Sequence, residues 1–293
     1  MRKIIFAIAA ICSLASCTKH DPFDSLPGEV WILSRFAPEN YSYQSGQSYF
    51  PYDELRQVGL FDTPINDGKG RYYRMPTSGE LQMIFPKSTD DGELGQYNLV
   101  YPLCFSWVPT QDKLLKIKES APLNNLSDNT ADLSGDKVEG ESEYYYYEDF
   151  EDDDPDFLPI FALRFKGTSQ YAAYRYQILS VAQDNDYKMI INLKAKWLKE
   201  KDVTTRIEDI IKPDYWRSGY LELNIPADSY VDSQGSVTDY YDCRLLSSTL
   251  SSNGVPVVGV FNGSQSGLGT DYEGMSYKYP IRLIKCKSDG KLQ

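Results

Sequence analysis

Histidine is nearly absent from this chain of 293 residues: the one imidazole is His20. A folded domain beginning after it has no Ser-His-Asp or Cys-His catalysis and no histidine-bearing zinc site. Cysteine is also scarce, at five residues, and no Cys-x-x-Cys occurs, so a structural zinc site has no support. Cys104, Cys243 and Cys286 remain once Cys12 and Cys17 are set aside with the N-terminal segment. An exported chain can oxidise one pair of these three or bury all of them as small apolar groups, and spacing does not decide between the two. Past the first seventeen residues no apolar run is long enough to span a bilayer. Positive charge is in deficit, with 30 Lys and Arg against 42 Asp and Glu, a formal net charge of −12. Attraction to nucleic acid or to anionic lipid is therefore disfavoured.

What is present begins with a leader. Met1-Arg2-Lys3 is basic, and Ile4 to Ile11 is apolar, as in a secretory signal. Leu14-Ala15-Ser16-Cys17 then matches the lipobox of bacterial lipoproteins. That likeness implies a diacylglycerol thioether on Cys17, cleavage before it, and acylation of the new amine. Acyl chains anchor durably because each buried CH₂ contributes about 0.8 kcal/mol. The expected organisation is a signal peptide at 1–16, a lipidated tether at 17–28, one domain at 29–287 and a tail at 288–293. The expected location is the outer membrane, lipid-anchored, more on the cell surface than on the periplasmic face; Asp21 and Asp24 beyond the anchor favour surface export.

The domain is rich in tyrosine, with 24 Tyr and 12 Phe, and reads as strand-dominated. Hydrophobic alternation predicts strands at Val30–Leu33, Leu158–Phe165, Tyr171–Val181, Tyr187–Leu198, Trp216–Ile225, Cys243–Leu250, Val255–Phe261 and Tyr279–Cys286. Tyr97–Val108 reads as a strand or hairpin. Short helices are expected at Pro51–Val58, at Val203–Ile211 with Thr204 or Thr205 as cap, and from Thr77, whose partner Glu80 completes a capping box. Residues 113–156, polar and then acidic, read as a surface insertion. Gly263–Gly269 reads as a surface turn. Strands with a few short helices and no regular alternation make an α+β fold.

Four stretches taken in order resemble a known family. They are Arg74-Met75-Pro76-Thr77-Ser78-Gly79-Glu80-Leu81, Leu223-Asn224-Ile225-Pro226-Ala227-Asp228-Ser229-Tyr230, Leu246-Ser247-Ser248-Thr249 and Tyr279-Pro280-Ile281-Arg282-Leu283-Ile284-Lys285. Together they resemble the Fibrobacter succinogenes major paralogous domain, widespread in lipoproteins of Bacteroidetes. Tyr73 and Met75 depart from that family's Trp and Leu, Leu245-Leu246 from its Tyr-Trp, and Cys286 is displaced from the arginine. The resemblance implies a C-type-lectin-like or formylglycine-generating-enzyme-like fold, mixed and mostly antiparallel, with long loops. Arg74, Thr77, Glu80 and Arg282 read as fold determinants, since a charge among apolar residues needs a partner; Glu80 and Asp228 are the candidate partners.

For function, the expectation is a non-enzymatic binding or structural module for a glycan or a surface protein, fimbria-associated among the options, with no catalytic residue. The tyrosines Tyr144, Tyr145, Tyr146 and Tyr147 either stack on a ligand or cover a nearby strand. Asp152, Asp153 and Asp154 supply oxygens of the kind calcium takes, but EF-hand spacing is missing, so no metal or cofactor is expected. The competing reading is a carbohydrate hydrolase using paired carboxylates. Replacing Cys17→Ala is expected to abolish palmitate incorporation and release the protein from the membrane fraction; continued labelling of the variant would refute the lipobox.

Overall fold

The computed structural model describes residues 30–42, 47–57, 63–90, 99–105, 112–122, 137–147, 158–183, 186–198, 204–227, 230–237, 243–261, 266–270, 277–290 and 292. Its centre is an antiparallel meander of six strands: β1 (Leu114–Pro122), β2 (Lys137–Tyr145), β3 (Ile160–Lys166), β4 (Ala172–Gln183), β5 (Asp186–Trp197) and β6 (Leu221–Pro226). Sequence neighbours are sheet neighbours throughout. A second antiparallel sheet holds β7 (Cys243–Leu250), β8 (Pro256–Phe261) and β9 (Ser266–Thr270). A third joins Ile284–Cys286 to Tyr72–Arg74 and Ile65–Asn66. The helices are short: α1 (Tyr52–Gln57), α2 (Ser78–Leu81) and α3 (Ile207–Ile210), with 3-10 turns at Ile32–Arg35 and Pro213–Trp216. The fold is a sheet-rich α+β fold, and every pairing among the described strands is antiparallel.

The inner face of the meander carries Tyr144, Ala162, Tyr174, Tyr176, Ile191 and Leu193. These pack with Leu81, Met83, Ile84 and Phe85 of α2 and the turn after it, and with Cys243, Leu245 and Phe261 of the second sheet. Close approach depends on two glycines. A Cβ on Gly79 would stand 1.6 Å from the Pro122 carbonyl oxygen, so α2 can lie against the end of β1 only because that residue is glycine. A Cβ on Gly259 would stand 2.4 Å from the Phe85 ring.

A buried cation sits between α2 and the meander. Arg164 is fully buried. Its guanidinium donates to Glu119 Oε1 at 3.0 Å and Oε2 at 2.5 Å, to the Gln82 and Met83 carbonyls at 2.6 and 2.9 Å, and to the Tyr176 hydroxyl at 2.9 Å. Five N–H groups thus find five acceptors. Tyr144 donates to Glu119 Oε1 at 2.7 Å, and Tyr176 passes its own proton to the Ile84 carbonyl at 3.1 Å. The rings of Phe165 and Tyr174 each lie 5.0 Å from the guanidinium carbon. Phe165 reaches that position through a register shift between β2 and β3 and a left-handed backbone, φ 58°. The bulge turns a residue due for the outer face inward, over the cation. Its N–H is satisfied by Ser142 Oγ at 3.0 Å.

Several expectations need correction. Residues 114–122 and 137–145 are strands of the central sheet, not a surface insertion, because Glu119 and Tyr144 anchor the arginine network. Residues 123–136 and 148–157 lie outside the described residues. Val30–Leu33 is no strand: Ile32–Arg35 makes a 3-10 turn. Of Tyr97–Val108, the described part holds a two-residue strand, Leu99–Val100, paired with Thr89–Asp90, and a single bridge from Leu103 to Ser266. Helix α3 begins at Ile207, capped by Arg206 with Asp209 rather than by Thr204 or Thr205. Of Gly263–Gly269, read as a surface turn, the described part belongs to β9 and pairs with β8, and Ser266 and Gly267 are buried. The closing stretch Tyr279–Cys286 is divided: Pro280–Leu283 lies between two short strands and bonds through its carbonyls to Leu246, Tyr41 and Ala37. The three cysteines Cys104, Cys243 and Cys286 are buried and none is in a disulfide.

Replacing Arg164→Met leaves Glu119 buried without its cation. Breaking such a pair is expected to cost about 3–5 kcal/mol. The double variant Arg164→Met/Glu119→Leu should recover most of that loss. Denaturant unfolding checks both; a single variant as stable as the parent would remove Arg164 from the centre of the fold.

Candidate functional site

The residues that carry the family resemblance converge into one hydrogen-bonded unit. Arg74 donates to both Glu80 oxygens, at 2.7 and 2.6 Å, and to the carbonyls of Met75 and Gly290. The Thr77 N–H donates to Glu80 Oε2 at 2.8 Å while Thr77 Oγ1 accepts from the Glu80 N–H, the predicted capping box. Thr249 Oγ1 accepts from the Ser78 N–H at 2.9 Å, and the Ser248 N–H donates to the Pro76 carbonyl at 2.8 Å. Arg282, 1% exposed, donates to Asn40 Oδ1 at 3.0 Å and to the Asn224 carbonyl at 2.8 Å. Both of these acceptors are amide oxygens. Arg74, Thr77, Glu80 and Arg282 are thus all buried and bonded to groups of their own chain. Asp228, Cys17, His20 and Asp152–Asp154 lie outside the described residues.

Strand alternation divides the tyrosine run. Tyr144 and Tyr146 point inward and are buried; Tyr146 donates to the Pro102 carbonyl. Tyr145 and Tyr147 stand half-buried on the outer face, packed with Phe161, Trp216, Tyr215 and Tyr220. Ring contacts run from Tyr145 to Tyr147 (5.6 Å), to Phe161 (6.1 Å), to Trp216 (6.4 Å) and to Tyr215 (5.1 Å).

Register extends this aromatic run into a polar surface. One row crosses all six strands as Leu114, Tyr145, Phe161, Arg175, Lys194 and Glu222, each the Cα partner of the next. The row beside it, on β4 to β6, is three amides: Gln177, Asn192 and Asn224. Asn192 Nδ2 donates to Glu222 Oε1 at 2.7 Å and to Asn224 Oδ1 at 2.8 Å. Arg175 donates to Gln177 Oε1 at 2.5 Å. Lys194 stands 4.7 Å over the Tyr220 ring and 3.8 Å from Glu222; Lys196 stands 4.4 Å over the Tyr215 ring and donates to the Tyr215 carbonyl. Burial lowers the pKa of Arg175 and of Lys196 below their ordinary values, since neither charge is fully hydrated.

Such a face offers hydroxyl groups donors and acceptors in one plane, with tyrosine rings beside them. Its carboxylates, Glu143 and Glu222, stand on β2 and β6, about 19 Å apart at ~4.8 Å per strand. Among the described residues no group of three His, Cys, Asp or Glu is placed to hold a metal ion. A shallow depression lined by Lys118, Glu139, Gly140, Glu141 and Lys166 has mixed charge and no ring, and offers less.

Sequence reasoning reached half of the tyrosine site and the wet face of β5, where Asn192 and Lys194 alternate with Ile191 and Leu193. It missed Arg175, Gln177 and Glu222. Their signal was the same alternation in Tyr174-Arg175-Tyr176-Gln177, but register alone brings the rows together.

The family model described as Domain of unknown function (DUF8237) matches residues 36–284, and the chain belongs to that family. No curated protein and no solved structure matches.

The buried phenols of the inner face should titrate late. Burial raises the pKa of Tyr144, Tyr146 and Tyr176 well above the ordinary value near 10, and that of Tyr174 to about 12; the Arg164 charge offsets part of this at Tyr144, Tyr174 and Tyr176. A phenol whose folded-state pKa is raised costs nothing below pH ~10. Above that, the unfolded chain loses the proton and the folded one keeps it, so each such group removes about 1.4 kcal/mol of stability per pH unit. Steep alkaline unfolding is expected above pH ~10, with a late, cooperative rise in tyrosinate absorbance coincident with loss of circular dichroism. Ionisation of all tyrosines near pH 10 with the fold intact would contradict the placement of these four.

Proposed function

We propose that this DUF8237 member is a non-enzymatic binding module of the cell envelope that holds a glycan on the outer face of its six-stranded sheet. In this reading acyl chains on Cys17 anchor it in the outer membrane, on the cell-surface side. The observation that carries the proposal is the adjacency, on one sheet face, of an amide row (Gln177, Asn192, Asn224) and half-buried tyrosines (Tyr145, Tyr147, Tyr220). A sugar needs both, since its hydroxyls need hydrogen-bond partners and its C–H faces pack on rings. The finer fold assignment, C-type-lectin-like, belongs to the same proposal. It is supported by the way the family-like stretches meet through Glu80, Pro76, Thr249 and Asn224.

Hydrolysis by paired carboxylates has less support. The two carboxyl groups of such enzymes stand roughly 5–10 Å apart, against about 19 Å for Glu143 and Glu222. Glu80 and Glu119 are buried and each is held by an arginine.

A glycan array with the full-length chain tests the proposal. Tyr147→Ala and Asn224→Ala should each weaken binding about 3- to 10-fold, while the remote Lys137→Ala leaves it unchanged. An array without a hit, or a bound glycan indifferent to both site substitutions, would sink this reading.

A further inference from the structure

The outer face carries a charge pattern that glycan binding in general does not need. Arg175 and Lys194 are direct cross-strand partners, on the same face of adjacent strands. Like charges so placed destabilise a sheet. Lys194 is relieved by Glu222 at 3.8 Å. Among the described residues Arg175 has no ion pair; its one hydrogen bond goes to the Gln177 amide oxygen. Lys196 lies two residues along β5, about 7 Å away on the same face, and among the described residues it too has no carboxylate within pairing distance. Three cations therefore occupy one patch of a chain whose net charge is −12.

We infer that the glycan held on this face is acidic, its carboxylate or sulfate received by the Arg175 guanidinium with Lys194 and Lys196 beside it. This rests on the outer face being the glycan site. The planar fork of an arginine suits a two-oxygen anion. Arg175 is half-buried, with Gln177 holding one of its N–H groups, and Tyr147, Tyr220 and the Glu222 carboxylate are near enough to favour its charge. An anion entering between Arg175 and Lys194 removes their repulsion and supplies the acceptors that Gln177 alone does not. The acidic remainder of the molecule does not forbid this, because exposed charges beyond about 8 Å are largely screened at physiological salt.

The test uses the full-length chain at ~0.15 M salt with three polymers: polygalacturonate for carboxylate, dextran sulfate for sulfate and dextran as the neutral control. At least one acidic polymer should bind and raise the melting temperature, and dextran should not. Arg175→Gln should weaken that binding about 10- to 100-fold, with Lys194→Gln as the second variant should the first fold poorly. Which acidic polymer binds identifies the anion. Acidic-polymer binding that both variants retain would overturn the site. Dextran binding lost in Tyr147→Ala but kept in Arg175→Gln would overturn the acidity and leave the glycan module standing. No binding to any of the three polymers would overturn the inference, and the array then judges the broader reading separately.

Discussion

A guanidinium sealed from water must meet an acceptor at every N–H, and Arg164 imposes that demand on four elements at once. Glu119 comes from β1, Tyr176 from β4, and the Gln82 and Met83 carbonyls from the turn after α2, while β3 supplies the arginine. An unpaired charge at this depth costs several kcal/mol, so these elements assemble together or not at all. The bulge at Phe165 follows from the same demand: an apolar ring closes the remaining side of the cation where water would otherwise enter. The capping box of α2 belongs to this requirement as well. Thr77 and Glu80 fix the helix start, Arg74 fixes Glu80, and the turn that results aims two carbonyls at Arg164.

Once the inner face is committed to that network and to the apolar core, the meander has its other face left. Helix α3 and the turn at Pro213–Trp216 cover part of it with Trp216 and Ile210. The rest carries residues that burial does not require: three amides, two like charges in register and half-exposed tyrosines. A sheet face selected only for wetness has no need of an arginine opposite a lysine, since a threonine at either place removes the repulsion. This pairing is why the outer face, and not the buried Arg74 unit, is the better place to look for binding.

The fold was legible where period and burial agree. Strands β3 to β8 and α1 lie near where apolar runs or alternation place them, β3 and β7 being buried on both faces and β6 beginning at Leu221 rather than Trp216. The capping box at Thr77 and Glu80 is readable because it is local. What stayed hidden is non-local. Strands β1 and β2 looked like a polar insertion because their inward residues include Glu119, whose partner Arg164 is 45 residues away, and Ser142, which meets the Phe165 N–H. Cross-strand rows are hidden in the same sense, because a shift of one residue would exchange every side chain between faces. Arg282 was legible as buried and in need of partners, but not as a donor to amide oxygens.

Arg164 and Arg175 lie on neighbouring strands and show how little residue type alone decides. The first faces inward, meets five acceptors and becomes part of the frame. The second faces outward and, among the described residues, meets one, leaving the donors that the proposed anion would take. The pleat separates them, and the net charge of −12 describes neither environment. Composition rightly weighs against a long anionic polymer laid over the whole surface, since most of that surface repels it. It does not weigh against one acidic group seated where a row of cations, amides and rings has already been brought into register. The electrostatics that matter for recognition here are set by strand pairing, within the few ångströms over which Arg175 and Lys194 act.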